Sequence, residues 1–150
     1  MVDDVDRAVD FYTRHFGFAL KTNAAPAFAD VVRDHLRLLI SGPASSAGRP
    51  MPDGRTPQPG GWNRIHFVVD DIEAEVERLR AGGVSFRNDI ISGPGGKQVL
   101  VEDPAGNPID LFQPATRYPA TRDQPVAAGP NPRPSRRDRR SAPRPPRSER

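Results

Sequence analysis

The sequence predicts an α+β fold that is built from two similar units. An acidic, amphipathic pattern opens at residues 2–6 (VDDVD), and a similar one opens 67 residues later at residues 69–73 (VDDIE). Each pattern predicts a helix that ends at a glycine, and short apolar stretches typical of strands follow it. We therefore predict that the order strand, helix and three strands occurs twice.

The first unit begins with a helix whose apolar residues recur at helical spacing: Val5, Ala8, Val9 and Tyr12. Aspartates at its start suit an N-cap and first turn, where free N–H groups and the helix dipole favour acidic side chains. Gly17 ends it, and strands are predicted at residues 18–20, 28–32 and 36–40. Only Met1 and Val2 precede the helix, so we expect that the first strand is truncated: it lies upstream of Met1 or is absent.

The second unit has a complete set of predicted elements. A strand at residues 65–69 leads into a helix with apolar Ile72, Val76 and Leu79, and this helix ends at Gly82-Gly83. Strands are predicted at residues 84–86, 98–102 and 108–112. Between the units, residues 41–61 form a long loop that is rich in Gly, Pro and Ser.

The charge of the chain is divided unevenly between two regions. Residues 115–150 carry a net charge of +7 and residues 1–114 carry −4, which gives +3 for the whole chain. The basic region is rich in Pro, Arg and Ser without apolar periodicity, so we predict a disordered tail at 115–150 after a folded domain at 1–114. The basic charge therefore predicts no specific nucleic-acid binding, since the folded part is acidic.

The composition excludes several kinds of protein. The chain contains no cysteine, so disulfides, thiol chemistry and cysteine-ligated zinc are excluded. No apolar run approaches the roughly 20 residues of a membrane-spanning helix, so no membrane partner is expected. The first residues are acidic and do not form a signal-peptide pattern, which favours a cytoplasmic location.

Asp110 is the most unusual residue of the predicted strands. Residues 99–112 (VLVEDPAGNPIDLF) contain two apolar strands that are joined by a turn of Asp, Pro, Gly and Asn. In the second strand Ile109 and Leu111 share one face, while Asp110 and Phe112 share the other. A buried carboxylate must be paired, hydrogen-bonded or bound to a cation, so Asp110 marks a candidate site.

Four motifs within residues 1–114 are typical of one known family. They are VDDVDRAVDFY at 2–12, FGF at 16–18, WNRIHFVVDD at 62–71 and EDPAGNPIDLFQP at 102–114. In this order they resemble the vicinal oxygen chelate superfamily, which includes glyoxalase I, bleomycin-resistance proteins, fosfomycin-resistance enzymes and extradiol dioxygenases. The resemblance implies tandem βαβββ units whose curved mixed sheet forms a glyoxalase-like cup. It also implies, for the metal enzymes, a metal that chelates two adjacent substrate oxygens as a Lewis acid.

The chain matches the implied metal-ligand positions poorly. The first ligand strand would precede Met1, and the second ligand position is Arg64, which cannot bind a metal. The position of the last ligand, usually Glu in the family, is Asp110. A further position that some members use falls near Arg37.

Two arrangements of these residues remain open. In one, Arg64 and Arg37 face Asp110 and form an ion-paired floor of the cup, with spare donors for an anionic or carbonyl-bearing ligand. In the other, a displaced site of Asp110, His66 and His35 holds a divalent metal, which normally requires three or more protein ligands.

His66, Trp62 and Gln98 are candidates for ligand binding, and the first two also have a structural interpretation. His66 lies in an apolar strand, where it forms either part of the wall or a donor and base. Trp62 follows the Pro/Gly loop and covers either the core edge or a ligand. Gln98 follows the Gly-rich hairpin at residues 93–96, which we place over the mouth of the cup, and its side chain is predicted to face the cup.

From these observations we predict a homodimeric protein that binds a small molecule in its cup without a complete metal site. No cofactor is assigned. The alternative is a metal-dependent lyase, isomerase or dioxygenase of the glyoxalase type, with a divalent metal in the site.

Overall fold

The computed structural model describes residues 1–115. Two helices, α1 (Val5–Phe16) and α2 (Ile72–Ala81), accompany eight strands and one 3-10 turn at Ser46–Gly48. The strands are β1 (Ala19–Ala24), β2 (Phe28–Arg33), β3 (Leu36–Ser41), β4 (Ile65–Val68), β5 (Ser85–Phe86), β6 (Ile91–Gly93), β7 (Gly96–Glu102) and β8 (Pro108–Pro114). The predicted α+β class is confirmed.

Both helices begin at the aspartates that the sequence predicts. The Asp4 carboxylate accepts a hydrogen bond from the backbone N–H of Arg7 at 2.9 Å, and that of Asp71 accepts one from Ala74 at 3.0 Å. These bonds satisfy N–H groups that have no partner within the helix. After α1, Gly17 adopts a left-handed conformation with φ 67°, which glycine tolerates without strain.

The strands form two separate hydrogen-bonded sheets. The first has the order β1-β2-β3 and is antiparallel, and the second has the order β4-β8-β7-β5 with β4 parallel to β8. The second sheet contains one strand that the sequence analysis did not predict. This strand, β6, pairs with β7 through the turn at Gly93–Gly96, because the glycines there permit a tight hairpin.

Equivalent backbone hydrogen bonds in the two units support the internal repeat. The backbone N–H of Val2 donates to the carbonyl of Ser41 at 2.9 Å, and that of Val69 donates to the carbonyl of Phe112 at the same distance. In each unit, a residue three positions before the first residue of the helix is thus tied to the last strand. Within residues 1–115, only the second unit has a strand preceding its helix, as the sequence analysis expects.

A single hydrophobic core joins the two units. The rings of Phe16 from α1 and Phe67 from β4 are stacked with centroids 5.5 Å apart. Alternate residues of the strands, including Val31, Ile109 and Leu111, are buried on the same side. Side chains at the intervening positions of the strands therefore point to the opposite face of each sheet, away from this core.

Two further predictions concern the C-terminal tail and membrane-spanning helices. The predicted tail lies outside the described residues, apart from Ala115, and the boundary at 114/115 stays a prediction. In the described part, no helix is long and apolar enough to cross a membrane.

Candidate functional site

The strand register assembles the candidate site on the face of the second sheet that points away from the core. His66 of β4 is paired with Asp110 of β8, and Phe112 of β8 is paired with Gln98 of β7. Paired residues project to the same face, and so do residues two apart on one strand. These four side chains therefore share one face, opposite the buried Ile109 and Leu111.

Asp110 lies at the centre of this face with unequal surroundings for its two oxygens. The residue is only 4% exposed. Its Oδ2 atom lies 3.3 Å from Nδ1 of His66 and 3.4 Å from Nε of Arg64. Its Oδ1 atom is buried and has no hydrogen-bond partner among the described residues. A buried carboxylate oxygen without a donor is costly, so this atom is available to a ligand that donates a hydrogen bond.

The partners of Asp110 are open to solvent on one side. The side chains of Arg64 and His66 are 41% and 49% exposed. Because Nδ1 of His66 points to Asp110, Nε2 is the ring nitrogen that remains for a ligand. The His66 ring also lies against Phe112, with centroids 5.2 Å apart. A ligand on this face would meet a guanidinium, an imidazole and an aromatic ring together.

Arg37 does not join this group, which corrects the expectation of two arginines facing Asp110. Instead Nε of Arg37 donates to both carboxylate oxygens of Asp30 at 2.9 Å, and Nη2 lies 2.8 Å from Oδ2. This contact with the Arg37 guanidinium lowers the pKa of the buried Asp30 carboxyl. Asp30 attracts Arg37 because it is the nearer buried carboxylate, on the adjacent strand β2.

The alternative arrangement, a metal site of His35, His66 and Asp110, is not formed either. His35 is exposed in the two-residue turn between β2 and β3, at the end of that hairpin. Among residues 1–115, no group of three or more His, Asp or Glu side chains lies close enough to hold a metal. The Asp110 carboxylate is instead contacted by the Arg64 cation. The described residues of this chain therefore do not fit the metal that the family resemblance implies.

Trp62 and Gln98 lie in different surroundings: Trp62 contacts Arg87, whereas Gln98 lines a hollow with Phe112. Trp62 is 78% exposed and stacks on the Arg87 guanidinium, whose carbon is 5.1 Å from the ring centroid. Arg87 is held in turn by Glu102 of β7 at 2.5 Å, so Trp62 is linked to β7 through Arg87. Gln98 and Phe112 line a shallow hollow of about 220 Å³ beside the Gly93–Gly96 turn.

Arg64 also borders a second hollow, of about 300 Å³, between the two sheets. Apolar residues of β3 and the first residues of the chain form one part of its wall, and residues at the start of β4 and in the turn before β8 form much of the rest. The lining residues are Met1, Val2, Tyr12, Leu38, Leu39, Ile40, Asn63, Arg64, Ile65, Asp103 and Asn107. Arg64 therefore contacts Asp110 and also lines this hollow, so a ligand in the hollow would lie next to the residues around Asp110.

Two residues that were not assigned to a site from the sequence, Phe112 and Asp30, lie beside the charged groups described above. Phe112 contacts His66, and the predicted alternation of β8 had already put it on the face of Asp110. Asp30 is 2% exposed in the middle of the apolar segment FADVVR. An acidic residue inside an apolar strand is the same signal that drew attention to Asp110, so it could have identified Asp30.

A family model matches nearly all of the part of the chain that the structure describes. Residues 1–111 match the family model described as Glyoxalase/Bleomycin resistance protein/Dioxygenase superfamily. The chain belongs to this superfamily, as the motifs predict. No curated protein matches the sequence.

Solved structures with the same fold include an antibiotic binding protein and an enzyme. A superfamily member from Sphaerobacter thermophilus DSM 20745 is 28% identical, with 75% of this chain and 90% of that chain covered and a TM-score of 0.60. Lactoylglutathione lyase from Agrobacterium tumefaciens is 22% identical, with coverages of 75% and 87% and a TM-score of 0.60. TnmS3, an antibiotic binding protein from Streptomyces sp. CB03234, is 24% identical, with coverages of 77% and 93% and a TM-score of 0.54.

Proposed function

We propose that the protein binds a small organic molecule on the face around Asp110 and that it does so without a resident metal ion. The observation that carries this proposal is the contact of Arg64 with Asp110, Nε to Oδ2, at 3.4 Å. A guanidinium beside the carboxylate supplies the positive charge that a metal would otherwise bring. The structural likeness to an antibiotic binding protein is compatible with such a role.

The site favours a ligand with both hydrogen-bond donor and acceptor groups. Arg64 has N–H donors beyond the one that faces Asp110, and these suit a carboxylate or carbonyl oxygen. Oδ1 of Asp110 accepts a hydrogen bond from a hydroxyl or amide of the ligand. Phe112 provides an apolar surface for a ring or chain. We therefore infer an amphipathic ligand with an anionic or carbonyl group.

We further propose that two copies of the chain form a homodimer over this face. Leu39 and Val68 are 55% and 53% exposed. Val68 lies on the face of His66, and Leu39 is paired with Asp30 on the open face of the first sheet. Covering such apolar side chains is favourable, at roughly 25 cal/mol per Å² of apolar surface removed from water. Light scattering of the purified protein tests this: a monomeric mass at micromolar concentration would contradict it.

Elemental analysis and ligand binding together test the proposed function. We expect purified protein to contain well below one equivalent of Ni, Zn, Mn or Fe. We also expect that Arg64→Gln weakens the binding of any acidic ligand found by screening about tenfold or more, since a charge-assisted hydrogen bond is lost. Arg80→Gln is the matched control, because Arg80 lies on α2 and pairs with a different carboxylate, that of Asp89, at 2.9 Å. Equal affinity of the Arg64 variant would remove Arg64 from the site.

The second candidate function is that of a metal-dependent lyase, isomerase or dioxygenase. Two observations favour it: the unpartnered Oδ1 of Asp110 and the adjacent His66 supply two of the ligands that a metal needs. Stoichiometric metal that is lost on Asp110→Ala would establish this candidate and overturn the metal-free proposal.

A further inference from the structure

A hollow of about 400 Å³ lies apart from the residues around Asp110, and nothing so far assigns it a role. It is bounded by the C-terminal turn of α1, the end of β2, the end of β4 and one side of α2. The lining residues are Arg14, His15, Phe16, Gly17, Arg33, Phe67, Val68, Val69, Glu75, Arg78 and Leu111. None of these is Arg64, His66 or Asp110, so the hollow is a separate feature.

Two of its arginines are held by consecutive carbonyl groups of α1. Nη1 of Arg33 donates to the carbonyl of Phe16 at 3.1 Å, and Nη2 of Arg78 donates to the carbonyl of His15 at 2.9 Å. These bonds satisfy carbonyls that have no partner within the helix. They also bring two guanidinium groups to the same helix end, where each retains N–H donors that are not used by these carbonyls.

The hollow has an excess of positive charge. Arg14, Arg33 and Arg78 line it together with a single carboxylate, that of Glu75, which contacts Arg78 at 2.6 Å. Arg14 pairs with Asp10 at 2.6 Å, but this carboxylate is not part of the lining. Among the described residues, Arg33 forms no ion pair with a carboxylate. Three guanidinium groups and two carboxylates, Asp10 included, leave one positive charge, which belongs to Arg33.

The floor of the hollow is apolar and aromatic. The guanidinium carbon of Arg33 lies 5.4 Å from the centroid of the Phe67 ring, which orients this side chain over the floor. Leu111 and Phe16 complete the floor. Helix capping accounts for the two carbonyl contacts, and Asp10 accounts for the orientation of Arg14, yet neither accounts for an apolar hollow beneath the Arg33 cation. A ligand with an anionic group and a small apolar body fits both features.

We propose that this hollow is a second binding site, which takes a small organic oxyanion, namely a phosphate monoester or a carboxylate with an aromatic or aliphatic body. The oxyanion contacts Arg14, Arg33 and Arg78, and the body packs over Phe67. The site shares Val68 with the face proposed for dimer formation, but it uses none of Arg64, His66 and Asp110.

Isothermal titration calorimetry of the full chain with phenyl phosphate and with benzoate tests the proposal. We expect at least one of the two to bind with one equivalent per chain, and the stronger of them identifies the oxyanion class. Arg33→Gln is expected to weaken binding about tenfold, because a charge-assisted contact is lost. Arg14→Gln, at an exposed side chain whose ion pair is with Asp10 alone, is expected to weaken it several-fold without unfolding the protein.

A control variant, a background variant and a control ion make the result decisive. Arg80→Gln on the same helix as Arg78 is expected to bind the probe as the unchanged protein does. The titrations are repeated in an Arg64→Gln background, which removes the contribution expected from the other site, and the effects of Arg14→Gln and Arg33→Gln are expected to persist there. Equal binding by the Arg14 and Arg33 variants would overturn the proposal, as would the absence of binding by both probes. Inorganic phosphate that binds as tightly as phenyl phosphate, and only at low salt, would show an adventitious ion only and would also overturn it.

Discussion

Replacing the buried Asp110 by Asn is expected to leave the protein as stable as before, or slightly more stable. This is unusual for a residue that is 4% exposed, and it follows from the contacts of its two oxygens. Oδ1 is buried without a donor, and Oδ2 has only the long contacts to His66 and Arg64. The carboxylate is therefore poorly satisfied within the described chain.

The magnitude follows from comparing the two effects. Each partner of Oδ2 is nearly half exposed, so each contact contributes at most about 1 kcal/mol to the free energy of unfolding. A buried charged oxygen without a donor costs about 1–3 kcal/mol. Asn removes this charge and still offers an acceptor to His66. We therefore expect the free energy of unfolding to stay unchanged or to rise by about 1 kcal/mol.

Asp103 provides the matched control, because it is also 4% exposed but fully hydrogen-bonded. Its Oδ1 accepts from the backbone N–H groups of Ala105 and Asn107, and its Oδ2 accepts from the Tyr12 hydroxyl and the Asn107 amide. Burial, followed by the nearby Asp103 charge, raises the pKa of Tyr12, so its hydroxyl stays protonated and donates. Asp103→Asn places a donor among donors, which we expect to cost about 2–4 kcal/mol.

Urea unfolding of both variants, followed by circular dichroism, measures these free energies. The thermal midpoint provides a second measure, since 1 kcal/mol corresponds to about 4 °C in a domain of this size. If Asp110→Asn loses as much stability as Asp103→Asn, then Asp110 is a structural ion-pair partner. In that case the reasoning that assigns its Oδ1 atom to a ligand fails.

Two other predictions concern acid stability and the C-terminal region. The pKa of Asp30 is lowered by Arg37, so the resulting stabilisation is present above the ordinary carboxyl pKa and is lost as the pH falls through the lowered value. Arg37→Gln should therefore shift acid unfolding to higher pH in a circular-dichroism titration, and an unchanged midpoint would contradict the pairing. Removal of residues 116–150 should leave the thermal midpoint within about 2 °C, because their Pro/Arg-rich composition predicts no packing; a larger fall would show that they dock on the fold.

Local patterns were sufficient to predict most of the fold. Asp4 and Asp71 cap the helices as predicted because the capping bond involves residues only three positions apart. Strand alternation also placed Asp110 correctly on the face opposite Ile109 and Leu111, since side-chain direction follows from the period of two. The short strand β6 was missed because it contains only three residues and depends on its hairpin partner.

The partners of the charged residues required the tertiary structure. Both Arg64 and Arg37 were expected beside Asp110, yet only Arg64 is found there, while Arg37 pairs with Asp30 seven residues away in the chain. Which carboxylate an arginine contacts depends on strand register and on the distances between side chains, which periodicity does not contain. The same holds for the second hollow, where Arg14, Arg33 and Arg78 come from three different elements.

By itself, the sequence determined the repeated units, the ends of the helices, the family and the importance of Asp110, because these depend on short-range spacing and residue chemistry. Only the tertiary structure decided that Oδ1 of Asp110 has no partner among residues 1–115, that His35 lies in the β2–β3 turn, and that three arginines line one hollow at the end of α1. Such facts arise when segments far apart in the chain are packed together, and long-range packing sets which polar groups are satisfied.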